Sequence, residues 1–157
     1  MISAMEIYIK NLQRSTKLNL QRIKRDLGRA LRLLGLSSSE LSVVFVNSER
    51  MRRINARYRR IDKATDVLSF PMSGPRQGGG MRFPGENFGP LGDIVICVPK
   101  ALAQADEYGI TFPEELLRLL IHGLLHLVGY DHEIDAYQKR KMENKERRLL
   151  DALRSVA

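Results

Sequence analysis

The sequence predicts one α+β domain in which a four-stranded sheet is covered mainly by helices. Three observations carry that expectation. Strand and helix patterns alternate through the first half of the chain, whereas every pattern after Pro99 is helical. A length of 157 residues suits one domain with one sizeable core. A hydrophobic fraction of 43% beside 28% charged residues is that of an ordinary soluble globular protein. Residues 1–157 are therefore read as a single unit with no internal repeat and no linker.

The elements follow in order. "EIYIKNL" from Glu6 alternates apolar and polar residues, with Ile7 and Ile9 on one face, and reads as a first strand. "LNLQRIKRDLGRALRLLG" places Leu20, Ile23, Leu27, Ala30, Leu31 and Leu34 at helical spacing, with Gly35 as its stop and a basic opposite face. "ELSVVFVN", Glu40 to Asn47, is rich in β-branched residues and reads as a second strand. Ser48 then serves as the cap of a short helix with Met51, Ile54 and Tyr58 on its apolar side. "TDVLSFP" is a third strand ended by Pro71. Met72 to Pro90, dense in Gly and Pro and without a period, reads as a long mobile loop. "LGDIVICV" is the fourth strand, and Pro99 opens a helix that ends near Gly109. Thr111 and Glu114 form a capping box for the next helix, which Gly129 ends. From about Ile134 the rest is one long charged helix.

Composition narrows the class. No apolar run reaches the roughly 18 residues that a membrane span needs, and "MISAMEIYIK" lacks the pattern of a secretory signal. The single cysteine, Cys97, cannot form an internal disulfide and reads as a buried strand residue. A cytoplasmic protein is the expectation. The balance of 26 Lys+Arg against 18 Asp+Glu, a net +8, favours polyanionic partners, nucleic acid first. Six arginines and Lys63 crowd between Arg50 and Lys63, a density suited to a cleft that tracks an RNA backbone. Aromatic residues are only 6%, so base stacking is thinly provided for. Tyr58 and Phe88 are its candidates, although helical spacing assigns Tyr58 to the core.

All three histidines lie in "HGLLHLVGYDH", His122 to His132. A lone histidine on an apolar helix is ordinarily a core residue with one hydrogen bond. Here His122 and His126 stand at i and i+4, so both rings can address one metal ion. The turn at Gly129 can return His132 to a third position. Three imidazoles without a thiolate favour an open, catalytic Zn²⁺ site with a fourth position for water, or another divalent metal. Asp131 either orients a ligand ring or faces solvent. The spacing H-x-x-x-H-x-x-G-x-x-H is also that of metzincin proteases, whose catalytic glutamate directly follows the first histidine. Gly123 occupies that place and cannot act as a base.

The same stretch resembles the H-G-x-L-H-L-x-G-Y-D-H signature of the bacterial YbeY-type endoribonucleases, also called ribosomal RNA maturation factors. "INARYRRIDKATDVLSFP" (Ile54 to Pro71) and "LGDIVIC" (Leu91 to Cys97) are similar to further blocks of that family, in the same order. The resemblance implies a zinc-protease-like α+β fold and zinc-dependent cleavage of single-stranded RNA. It implies work on ribosomal RNA, chiefly the 3′ end of the small-subunit RNA, and a part in ribosome quality control. Small-subunit components and an assembly GTPase are its implied partners. By motif position His122, His126 and His132 carry over as metal ligands and Arg59 as the functional arginine, expected to stabilise charge on the scissile phosphate. Asp93 and Asp66 are polar residues for the cleft or for the backbone; a structural role is expected of Asp66, while Asp93 stays open. The nucleophile, a metal-activated water or the RNA 2′-hydroxyl, stays open as well. Two rivals remain: a metallopeptidase lacking its usual glutamate, and a mainly non-catalytic ribosome assembly factor.

Overall fold

The computed structural model describes residues 4–72, 89–131, 133 and 135–154. Its elements run β1 (Glu6–Asn11), α1 (Leu20–Leu33), β2 (Ser39–Val46), α2 (Ser48–Arg59), β3 (Val67–Pro71), β4 (Gly89–Cys97), α3 (Val98–Tyr108), α4 (Phe112–Leu127) and α5 (Ala136–Arg154). This is the α+β order that the patterns predict. The four strands form one sheet in the order β1-β2-β4-β3. β1, β2 and β4 are parallel, with α1 as the crossover between the first two, and β3 runs antiparallel to β4.

Strand alternation divides the core. Leu41, Val43 and Phe45 of β2 and Ile94 and Ile96 of β4 join the large cluster beneath α1, α4 and α5. Val46, Leu68, Val95 and Cys97 face the other way and meet Met51 of α2. Fully buried side chains such as Phe45, Leu27 and Leu120 each contribute about 1.5–3 kcal/mol. The basic face of α1 is partly spent on structure. Arg29 donates to the carbonyls of Ala152 and Leu153 at 3.2 Å each, satisfying the last turn of α5.

Several local expectations are corrected. Asn47, not Ser48, caps α2, because its side chain accepts from Arg50 N at 2.9 Å and Ser48 is already helical. Leu20, the first residue of α1, is 37% exposed, and the buried face of the helix begins at Ile23. Tyr58 is 62% exposed. α2 buries Met51 and Asn55 instead, and at its last turn the Tyr58 ring meets Phe70 of β3. Gly89 and Pro90 belong to β4, where they pair with Ser39 and Glu40 of β2, and not to the preceding loop. The rest of that loop, 73–88, including Phe88, lies outside the described residues. Cys97 is buried at the end of β4 as expected.

The β2–β4 pair has a bulge. Glu40 pairs with Pro90 and Leu41 with Gly92, so Leu91 is the extra residue on β4. Gly92 next to it has φ +137°, and a Cβ there would stand 2.2 Å from the Phe70 carbonyl oxygen. Only glycine fits both the dihedral and the approach of β3. Gly92→Ala is expected to cost about 3 kcal/mol and lower the thermal midpoint by roughly 10 °C. Gly89→Ala, at a positive φ but with open space around its Cβ, should cost clearly less. Equal midpoints for the two variants would contradict this account of the bulge.

Candidate active site

α4 carries the site, and its ends are well specified. The Thr111 hydroxyl accepts from Glu114 N at 3.3 Å, and Pro113 and two acids occupy the first turn. At the other end Gly129, with φ +105°, stands just beyond the cap. Tyr130 N donates to Leu125 O at 3.0 Å and Gly129 N to His126 O at 3.1 Å. This double closure stops the helix and reverses the chain directly after the histidines. Burial pushes the Tyr130 phenol above its ordinary pKa.

The middle of α4 is pressed onto the sheet at Gly123. Ser69 Oγ of β3 donates to Gly123 O at 3.1 Å. A Cβ at position 123 would lie 3.0 Å from Ile94 Cγ2 and 3.1 Å from Ser69 Oγ. The position that follows His122 therefore points into the sheet. The glycine has a packing reason beyond the absent catalytic base, and a glutamate there would start against Ile94 and Ser69.

His122 and His126 project from the neighbouring face. Their Nε2 atoms are 3.1 Å apart and their ring planes are inclined at 72°. Two imidazoles bound tetrahedrally at about 2.0–2.1 Å keep their nitrogens about 3.3 Å apart, so the pair fits a shared cation. His122 Nδ1 donates to Glu146 Oε1 of α5. That contact fixes the tautomer and leaves the Nε2 lone pair facing His126. Sequence reasoning missed Glu146. Its only signal was positional: it interrupts the apolar stripe Met142, Leu149 and Leu153 of α5, a helix slot otherwise buried. His132 lies outside the described residues.

A cleft of about 600 Å³ opens beside the histidines. Arg59, His122, His126 and Asp131 all line it, together with residues 65–71, Arg118 and Glu133. It follows β3, which among the described residues pairs only with β4 and so presents an open edge. Arg59 is the last residue of α2. Arg60 then takes a left-handed conformation at φ 59°, and its N–H closes the helix on Asn55 O. Buried Asn55 donates through Nδ2 to Lys63 O at 2.8 Å, which ties the following loop to α2 and holds Arg59 at the rim. Arg52 is engaged elsewhere: it forks onto Asp62 at 2.7 and 3.1 Å. Their hydrogen bond raises the guanidinium pKa and lowers that of the carboxyl.

The aspartates separate. Asp66 holds structure: Oδ1 accepts from Val67 N at 2.8 Å, Oδ2 accepts from Gln104 Nε2 at 3.2 Å, and its carbonyl accepts from Cys97 N. Asp131 Oδ1 accepts from Glu133 N at 2.8 Å, a local turn contact beside the cleft. Asp93 pairs with Phe70 and Ser42, on the sheet face opposite Ile94 and α4, which places it away from the histidine pair.

One turn before His122, Arg118 forks onto Glu115 at 2.5 and 2.9 Å. Glu115 is fully buried and Arg118 is 34% exposed toward the cleft. The hydrogen bond to Glu115 raises the Arg118 pKa first, burial opposes it, and the charges of Glu115 and Glu146 add to the rise. A fixed cation thus stands on the α4 wall of the cleft, facing the same space as Arg59. Arg118→Met would strand the buried Glu115 charge and is expected to cost about 3 kcal/mol. The double change Glu115→Leu with Arg118→Met should recover most of that in urea unfolding. A double variant as unstable as the single one would show that the pair is not what Arg118→Met disrupts.

Comparison with known proteins gives the family of the chain. Residues 8–154 match the family described as Endoribonuclease YbeY. The chain is 40% identical over 148 residues to Endoribonuclease YbeY of Sulfurihydrogenibium sp., covering 94% of this chain and 88% of that one. It is 38% identical over 150 residues to Endoribonuclease YbeY of Geobacter metallireducens, covering 95% and 96%. The solution structure of TM1509 from Thermotoga maritima superposes with a TM-score of 0.65 at 28% identity, over 94% of this chain and 88% of that one. A matched family model spanning nearly the whole chain, relatives at this identity and a shared fold agree: the chain belongs to the endoribonuclease YbeY family.

Proposed function

We propose that this chain is a metal-dependent endoribonuclease that cuts single-stranded RNA in the β3–α4 cleft. One observation carries the reading: Arg59 and the His122–His126 pair, far apart in sequence, line the same cleft. His122 and His126, with His132, would hold one divalent cation, zinc first, which supplies Lewis-acid activation at the phosphodiester when bound. Glu146 keeps the His122 ring in the ligating tautomer. Arg59 offers a planar donor fork to the scissile phosphate and stabilises charge developing on its oxygens. Arg118, held by Glu115, adds positive potential on the opposite wall. Family membership supports ribosomal RNA as the substrate, with the small-subunit 3′ end as its focus and ribosome quality control as its setting. Small-subunit components, an assembly GTPase and a cytoplasmic location belong to the same reading. No helix among the described residues is long and apolar enough to cross a membrane.

The peptidase alternative has one observation in its favour. The open edge of β3 could pair with an extended peptide backbone. Against it stand the two cleft arginines and the packing role of Gly123.

The test is cleavage of a single-stranded RNA by the purified, metal-analysed chain, with casein as the competing substrate. Wild type should carry about one metal ion and cut RNA. His126→Ala should lose both metal and cleavage, and Arg59→Ala should keep the metal while cleavage falls by about 10²–10³-fold. Glu146→Gln should weaken metal affinity about 10–100-fold. Casein cut with RNA spared would reverse the assignment. Cleavage that survives removal of the metal would place the activity elsewhere.

A further inference from the structure

Tyr58 is poorly explained by packing. It is 62% exposed, although helical spacing assigns it to the core, and it directly precedes Arg59 at the cleft rim. Its ring meets Phe70 at 5.3 Å between centroids and 62° between planes. Phe70 is half-buried on β3 and lines the cleft. The Arg57 guanidinium carbon lies 5.5 Å from the Tyr58 centroid. An aromatic ring that meets Phe70 at an edge, carries one guanidinium over it and leaves most of its surface open to solvent has the chemistry that receives an unpaired nucleobase.

The geometry points to a base-stacking subsite formed by Tyr58 and braced by Phe70, taking the base of a nucleotide next to the phosphate held by Arg59. This rests on the ribonuclease reading and extends it. It gives strand selectivity a physical source. Bases in a duplex are stacked on one another and cannot reach Tyr58, whereas a single strand can turn one base out. It also provides the stacking that a 6% aromatic content otherwise leaves scarce. Stacking tolerates every base, so little sequence preference follows from it.

The chain has no tryptophan, which makes a direct test available. Tyr58→Trp, placed in a His126→Ala background to keep the RNA intact, gives a protein with one indole. Titration with a short single-stranded RNA should quench its fluorescence in step with binding measured by anisotropy of labelled RNA. The same titration of Tyr137→Trp, at a position 64% exposed on α5, should leave the indole unchanged. In the otherwise native enzyme Tyr58→Leu should raise KM about fivefold or more with kcat little changed, and Tyr58→Phe should restore KM. RNA that binds the Tyr58→Trp protein without quenching its indole, together with an unaltered KM for Tyr58→Leu, would overturn the stacking subsite and leave the ribonuclease reading standing. Wild type that neither binds nor cuts RNA would remove both.

Discussion

The contact on which the site depends is the close approach of α4 to the β3–β4 pair at Gly123. The Cα of Gly123 sits where a side chain would press on Ile94 and Ser69, and the Ser69 hydroxyl donates to its carbonyl. Interiors are packed too densely to absorb such a displacement without local rearrangement. Holding the helix this near sets how far His122 and His126 stand from the β3 edge. It also sets the width of the cleft that β3 and α4 share. The bulge at Leu91 and the positive φ of Gly92 shape the neighbouring part of the same β3–β4 pair, where β3 comes close at Phe70.

From that seat the charges fall into place by packing. α5 packs on α4 with Met142, Leu149 and Leu153 buried, and this docking delivers Glu146 to His122. Thus a helix that looks merely charged in sequence completes the site. α2 lies on the other sheet face, and its last residue, Arg59, lines the cleft beside β3. Arg60 in its left-handed turn and Asn55 bonded to Lys63 O hold that end in place. Two walls, one bearing Arg59 and the other Arg118 and the histidine pair, then face a common volume. Such an arrangement suits a polyanionic strand better than a neutral peptide.

Much of this was legible in the sequence, for physical reasons that differ by element. Strand alternation and helical spacing revealed the element order, because each face must be buried against something. The i, i+4 histidines and the Gly129 stop were legible because they depend on local helix geometry alone. What depends on tertiary placement was not. Tyr58 had the spacing of a core residue, but at the last turn of α2 its ring meets Phe70 of the edge strand β3 and stays 62% exposed. Gly123 read as a missing base, while its packing against Ile94 requires knowing which strand lies under α4. Glu146 pairs with a ring 24 residues away, and nothing in the spacing of either motif announces it. The one-residue shift of the α2 cap from Ser48 to Asn47 reflects two adjacent cap-forming residues, between which only the backbone turn decides.

The central claim is that RNA lies in the cleft between α4 and the α2–β3 segment. Photocrosslinking tests it most directly. A single-stranded RNA carrying 4-thiouridine would be irradiated on His126→Ala protein and the labelled peptides identified by mass spectrometry. The account predicts adducts within residues 57–71 and 115–131, on both walls of the cleft. Adducts confined to the basic faces of α1 and α5, with these two segments unlabelled, would contradict it.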